Sequence, residues 1–72
     1  MCGIIGINSI KPVSATIINS LKKLEYRGYD SAGIATLSRG LINEVKSEGR
    51  VDNLEKNSLV QNMEGTIGIG HV

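Results

Sequence analysis

One cysteine, one histidine, one proline and no phenylalanine or tryptophan are found in a chain of 72 residues. A single cysteine excludes an internal disulfide, and one cysteine with His71 is too few ligands for a structural zinc site, which takes four. Without Phe or Trp, the large side chains that dominate small cores are reduced to Tyr26 and Tyr29. Chains of this size bury only about 60% of the surface they expose when unfolded. The scarcity of staples and aromatics therefore argues against a free-standing rigid fold. Strong charge of either sign is missing too. The net charge is +1 with both signs interspersed, which leaves no nucleic-acid footprint, and Lys22-Lys23 reads as a solvated helix face. No run approaches the ~18 apolar residues of a membrane span. No basic region precedes the first apolar run, as it would in a signal peptide. A soluble, reducing, cytoplasmic setting with no membrane partner is expected.

What is present is Ile, Leu, Val and Ala at regular spacing. Residues Cys2 to Asn8 read as a buried strand, apolar and Ile-rich, with Gly3 and Gly6 allowing close backbone approach. Val13, Ile17, Ile18, Leu21 and Leu24 form one helical stripe. The spacing predicts an amphipathic helix from about Pro12 to Leu24, with Lys22 and Lys23 at the carbonyl end of its dipole. A polar and aromatic segment follows, Glu25 to Gly33. Ile34 to Leu37 then read as a second strand, Ser38-Arg39-Gly40 as a turn, and Leu41 to Lys46 as the return strand of a hairpin. Asp52 and Glu55 have capping-box spacing at the head of a helix running through Leu54, Leu59, Val60 and Met63. Thr66 to Val72 form a last strand, with Ile67, Ile69 and His71 on one face and Gly68, Gly70 and Val72 on the other. The expected class is α+β, in the order β-α-β-β-α-β, with no internal repeat.

Chemistry gathers at the amino terminus. If Met1 is removed, Cys2 carries a thiol and a free α-amine on one carbon, a nucleophile and a base joined by the shortest linker. Their reference pKa values, about 8.5 and 7.7–8.0, put both within reach of proton exchange near neutral pH. The competing reading is a small buried hydrophobe, the usual fate of a lone Cys in an apolar run. The segment Arg27-Gly28-Tyr29-Asp30-Ser31 also has two readings. An Arg fork beside a Gly suits a carboxylate or an orienting contact; alternatively, Asp30 and Ser31 satisfy backbone donors in a polar loop. Gly65, Gly68 and Gly70 lack the Gly-Lys-Ser/Thr of a phosphate loop and read as close-packing positions. His71 has no second ligand at metal spacing and reads as a satisfied strand histidine. No cofactor and no metal is expected.

Three stretches together carry a resemblance: Met1-Cys-Gly-Ile-Ile-Gly-Ile7, Leu24-Glu-Tyr-Arg-Gly-Tyr-Asp-Ser-Ala-Gly-Ile-Ala35, and Gly65-Thr-Ile-Gly-Ile-Gly-His-Val72. In order and spacing the whole chain resembles the amino-terminal glutaminase domain of the glutamine–fructose-6-phosphate aminotransferase (isomerizing) family. These are class II glutamine amidotransferases, N-terminal nucleophile hydrolases with an αββα sandwich. The opening Cys-Gly-Ile is common to class II amidotransferases. The middle motif points to the hexosamine-forming branch: phosphoribosyl-pyrophosphate amidotransferases have Arg-Gly-Gln-Glu-Ser there, and asparagine synthetases Arg-Gly-Pro-Asp.

The resemblance implies that Cys2, freed of Met1, attacks the carboxamide of L-glutamine with its own amine as general base. It implies active-site roles for Arg27 and Gly28, which orient the nucleophile region, and packing roles for Gly3 and Gly6. The family's later elements are an Arg-Trp-Ala-Thr-His-Gly motif, an Asn-Gly oxyanion hole and an Asp for the substrate amine. None of these lies within residues 1–72. The expectation is therefore a partial glutaminase domain, truncated at its C-terminal end and nearly inactive alone. Fructose-6-phosphate would be engaged only through an absent isomerase half, and a separately encoded remainder would be a partner. The alternatives are another class II branch, told apart by the acceptor half encoded next, and a non-catalytic remnant, told apart by a thermal melt. A stand-alone redox or ligand module would need a second thiol or a pocket motif.

Overall fold

The computed structural model describes residues 2–25 and 30–72. Among them, four segments run extended: β1 (Ile4–Asn8), β2 (Ser31–Ser38), β3 (Leu41–Glu48) and β4 (Ile67–His71). Three wind into helices: α1 (Ser14–Leu24), α2 (Val51–Glu55) and α3 (Ser58–Gln61). The strands make one antiparallel sheet in the order β1-β4-β2-β3. The protein is thus α+β. The single second helix read from the sequence is two short ones.

The three helices lie on one face of the sheet because they and that face carry apolar residues that bury one another. The α1 stripe buries Val13, Ile17, Ile18 and Leu21; burying each such side chain contributes about 1.5–3 kcal/mol. Opposite it lie Ala32, Ile34 and Thr36 of β2 and Val45 of β3, with Val51, Leu54, Val60 and Met63 closing the side. β4 contributes no side chain to this face except hydrogen atoms. A Cβ at Gly70 would stand 2.5 Å from Ile17 Cγ2 and 3.0 Å from Leu21 Cδ1, and one at Gly68 would stand 3.0 Å from Ile17 Cδ1. The two glycines let α1 lie directly on the strand, as close-packing positions should.

Local signals set most boundaries, and distant ones set the rest. Arg39 (φ 54°) and Gly40 (φ 77°) form the two-residue turn of the β2–β3 hairpin, with positive φ at both central positions as a type I′ turn requires. The helix α1 begins after Val13, whose N–H is taken by Gly65 O at 3.0 Å. Asn57 restarts the chain as the cap of α3, its side chain accepting from Leu59 N at 2.8 Å. That cap divides the helix expected over 52–63. The proposed capping box at Asp52 does not form: Asp52 lies inside α2, and Arg50 is its cap.

Among the described residues, the other face of the sheet carries no helix. Alternation places Ile4 and Gly6 of β1, Ile67, Ile69 and His71 of β4, Ala35 and Leu37 of β2, and Ile42 of β3 on it. Ile4, Ile42 and Ile69 are 79%, 75% and 59% exposed. One helical layer on one sheet with an apolar outer face is the arrangement of half an αββα sandwich.

Candidate functional site

Cys2 precedes β1 and is exposed, so the buried-hydrophobe reading does not hold. The ladder between β1 and β4 continues past the strand: Gly3 N donates to Val72 O at 3.1 Å and Val72 N to Gly3 O at 3.0 Å. A Cβ at Gly3 would meet Leu24 Cδ1 at 3.0 Å, so Gly3 faces α1. By alternation the Cys2 side chain leaves on the helix-free face, with Ile4.

The same end of the sheet holds two further residues singled out by the sequence, Ser31 and His71. β4 pairs Ile4 with His71 on one side and Gly33 with His71 on the other. Cys2 lies two residues before Ile4 and Ser31 two residues before Gly33, so both stand at this end of the sheet, on strands separated by β4. His71 lies across β2, where its Nε2 occupies the space of the Cβ that Gly33 lacks, 2.6 Å from that point. It is an exposed strand residue with no hydrogen-bond partner among the described residues, so the expectation of a satisfied histidine holds only for its place in a strand. A groove of about 260 Å³, lined by Ser31, Ala32, Lys46, Ser47, Glu48 and His71, opens at this end. A larger groove of about 500 Å³, between β3 and α3, lies at the far edge of the sheet, away from Cys2. Among the described residues no three His, Cys, Asp or Glu side chains converge as metal ligands.

Arg27 and Gly28, with Tyr26 and Tyr29, lie outside the described residues. Their flanks are well held. Glu25 is buried, and its Oε2 accepts from Val51 N at 2.6 Å. Its Oε1 faces Arg50 Nη2 at 3.7 Å. Beyond the segment, the carbonyl of Asp30 accepts from Gly49 N at 2.9 Å. Ser31 to Gly33, read from the sequence as part of a polar segment, belong to β2. Neither Glu25 nor the 49–51 turn was singled out by the sequence. Lys22, three residues earlier, attracts the carboxylate only through space, and the groups that bond to it lie about 25 residues away.

No family model matches the chain. Curated relatives do. A glutamine–fructose-6-phosphate aminotransferase (isomerizing) from Bradyrhizobium diazoefficiens is 51% identical over 71 residues, 99% of this chain. Proteins of that name from Brucella abortus and Agrobacterium fabrum are 52% and 46% identical over the same share of the chain. The chain spans about 12% of the length of these aminotransferases. No helix among the described residues is long and apolar enough to cross a membrane.

Proposed function

We propose that residues 1–72 are the nucleophile-bearing part of a glutamine-hydrolysing domain of the aminotransferase type, and that they act in the cytoplasm. With Met1 removed, the α-amine of Cys2 takes the thiol proton and the thiolate attacks the side-chain carboxamide carbon of L-glutamine. The tetrahedral adduct collapses as the C–N bond breaks, and ammonia leaves with the transferred proton. A water molecule then attacks the γ-glutamyl thioester, giving glutamate and regenerating the thiol. Arg27 and Gly28 orient the nucleophile region. The ammonia would serve fructose-6-phosphate amination in the part of the protein that this chain does not span.

The observation that supports this most directly is the exposed Cys2 just before β1, which alternation assigns to the face of the sheet that carries no helix among the described residues. A thiol there can meet a substrate. The family's Asn-Gly oxyanion hole has no counterpart in the sequence of residues 1–72, and loss of even one such donor costs about 10²–10³ in rate. The 72-residue chain alone should therefore release no measurable glutamate; release abolished by Cys2→Ala would contradict that. The positive test is a chimera, with this chain replacing the matching residues of the Bradyrhizobium diazoefficiens relative. The chimera should hydrolyse glutamine, and its Cys2→Ala form should not. A folded chimera that is silent beside an active parent would overturn the reading.

A further inference from the structure

Gly49 and Arg50, which join β3 to α2, together with Val51, the first residue of α2, hold both flanks of segment 26–29 at once. Gly49 N donates to the Asp30 carbonyl at 2.9 Å, Val51 N donates to Glu25 Oε2 at 2.6 Å, and Arg50 faces Glu25 Oε1 at 3.7 Å. Glu25 is the one charged side chain among the described residues that is buried, at 8% exposure. A buried carboxylate costs several kcal/mol unless it is paired and hydrogen-bonded, and here its partners come from a turn remote in sequence. Gly49 takes φ 83°, the left-handed conformation in which glycine is favoured. That conformation lets alternate N–H groups of the turn reach Asp30 and Glu25. The neighbouring Leu24 packs on Gly3, so the same helix end also supports the residue behind Cys2.

We propose that Glu25 and the turn 49–51 form a clamp, and that these positioning residues fix where the chain carrying Arg27 leaves α1 and enters β2 relative to Cys2. The inference rests on the glutaminase reading above, in which Arg27 acts at Cys2. The carboxylate acts through the backbone rather than on a substrate, and the turn holds the two flanks at a fixed separation.

The single cysteine makes alkylation specific, so the test compares Cys2 modification of the whole 72-residue chain by iodoacetate and by iodoacetamide. The two reagents differ in one negative charge, and their rate ratio reads the cation placed beside the thiol. Arg27→Gln should lower the ratio about threefold, the size of one charge acting through solvent over a few ångströms. Glu25→Ala should lower it as far, while Glu25→Gln, which keeps an acceptor for Val51 N, should retain it. A melting curve accompanies each variant. If Glu25→Ala does not fold, Gly49→Ala carries the test, because it strains the turn at its φ of 83° while the new Cβ would meet only the flexible end of Asn53, 2.9 Å away; it too should lower the ratio. A role confined to stability would lower melting temperatures and leave the ratio unchanged, which overturns the clamp. An unchanged ratio in Arg27→Gln would overturn the site reading and the clamp together. A ratio lowered by Arg27→Gln but not by Glu25→Ala or Gly49→Ala would overturn the clamp alone.

Discussion

Replacing Gly70 by alanine tests the packing that sets the whole helical layer. The added methyl would stand 2.5 Å from Ile17 Cγ2 and 3.0 Å from Leu21 Cδ1, about 1 Å inside ordinary van der Waals contact. Ile17 and Leu21 are both fully buried, so neither can swing aside, and α1 must rise off β4. Overpacking of this kind typically costs about 1–3 kcal/mol. Alanine also narrows the unfolded ensemble, a gain of about 0.4–1 kcal/mol that must be separated out. Gly6→Ala supplies the reference, since its Cβ would meet only Ile69 Cγ2 at 3.9 Å. Urea unfolding followed by circular dichroism should show Gly70→Ala destabilised by about 1–3 kcal/mol relative to Gly6→Ala. In a domain of this size that is roughly 5–20 °C in melting temperature. Ile17→Leu, which removes the opposing branch methyl, should recover part of the loss in the double variant. Equal stability of Gly70→Ala and Gly6→Ala, with equal slopes in urea, would refute the packing argument.

Three further outcomes are expected. Thr36→Val removes the buried hydroxyl that donates to Glu64 O at 2.7 Å and should cost about 1 kcal/mol in the same assay. Ile69→Thr, on the open face, should change stability by less than about 0.5 kcal/mol. Ile34→Thr on the helix-covered face of the neighbouring strand, at 2% exposure, should cost about 1–3 kcal/mol for its buried hydroxyl; equal losses would mean the faces are misassigned. The hydrogen bond from Lys22 to Glu55, at 2.7 Å, raises the Lys22 pKa above 10.5, and Asp52 adds attraction. A pKa raised by folding stabilises fully below the unfolded value and is lost as pH rises through the folded one. The melting-temperature difference between the protein and Lys22→Gln should therefore be constant well below the ordinary lysine value and be lost as the pH rises through the raised Lys22 value. It should also shrink in high salt; a difference that grows with pH would contradict the pairing.

Period and turn chemistry made much of this fold legible. The stripe from Val13 to Leu24 announces α1, and Arg39-Gly40 announces the hairpin, because each signal is contained within a few residues. What could not be read comes from partners far along the chain. The start of α2 follows from Glu25 reaching Val51 across 26 residues, not from the Asp52–Glu55 spacing. The break before α3 is a local cap at Asn57, masked in the sequence by apolar residues that continue at near-helical spacing. The start of β2 at Ser31 reflects pairing with Glu48 of β3, which overrides the loop composition of the segment. At the site, the position of Cys2 behind Met1 was plain from the first two letters. The carboxylate clamp was not, because Glu25 is conspicuous only once its burial and its distant partners are known.

The central claim is that Cys2 carries the acyl group during glutamine hydrolysis. It is tested most directly by mixing the chimera with glutamine, quenching in acid during turnover, and mapping the amino-terminal peptide by mass spectrometry. The account predicts a peptide that begins at Cys2, without Met1, and carries one γ-glutamyl group on its thiol. Glutamate release that continues with Met1 still attached, or with the acyl group absent from Cys2 and present on another residue, would contradict it.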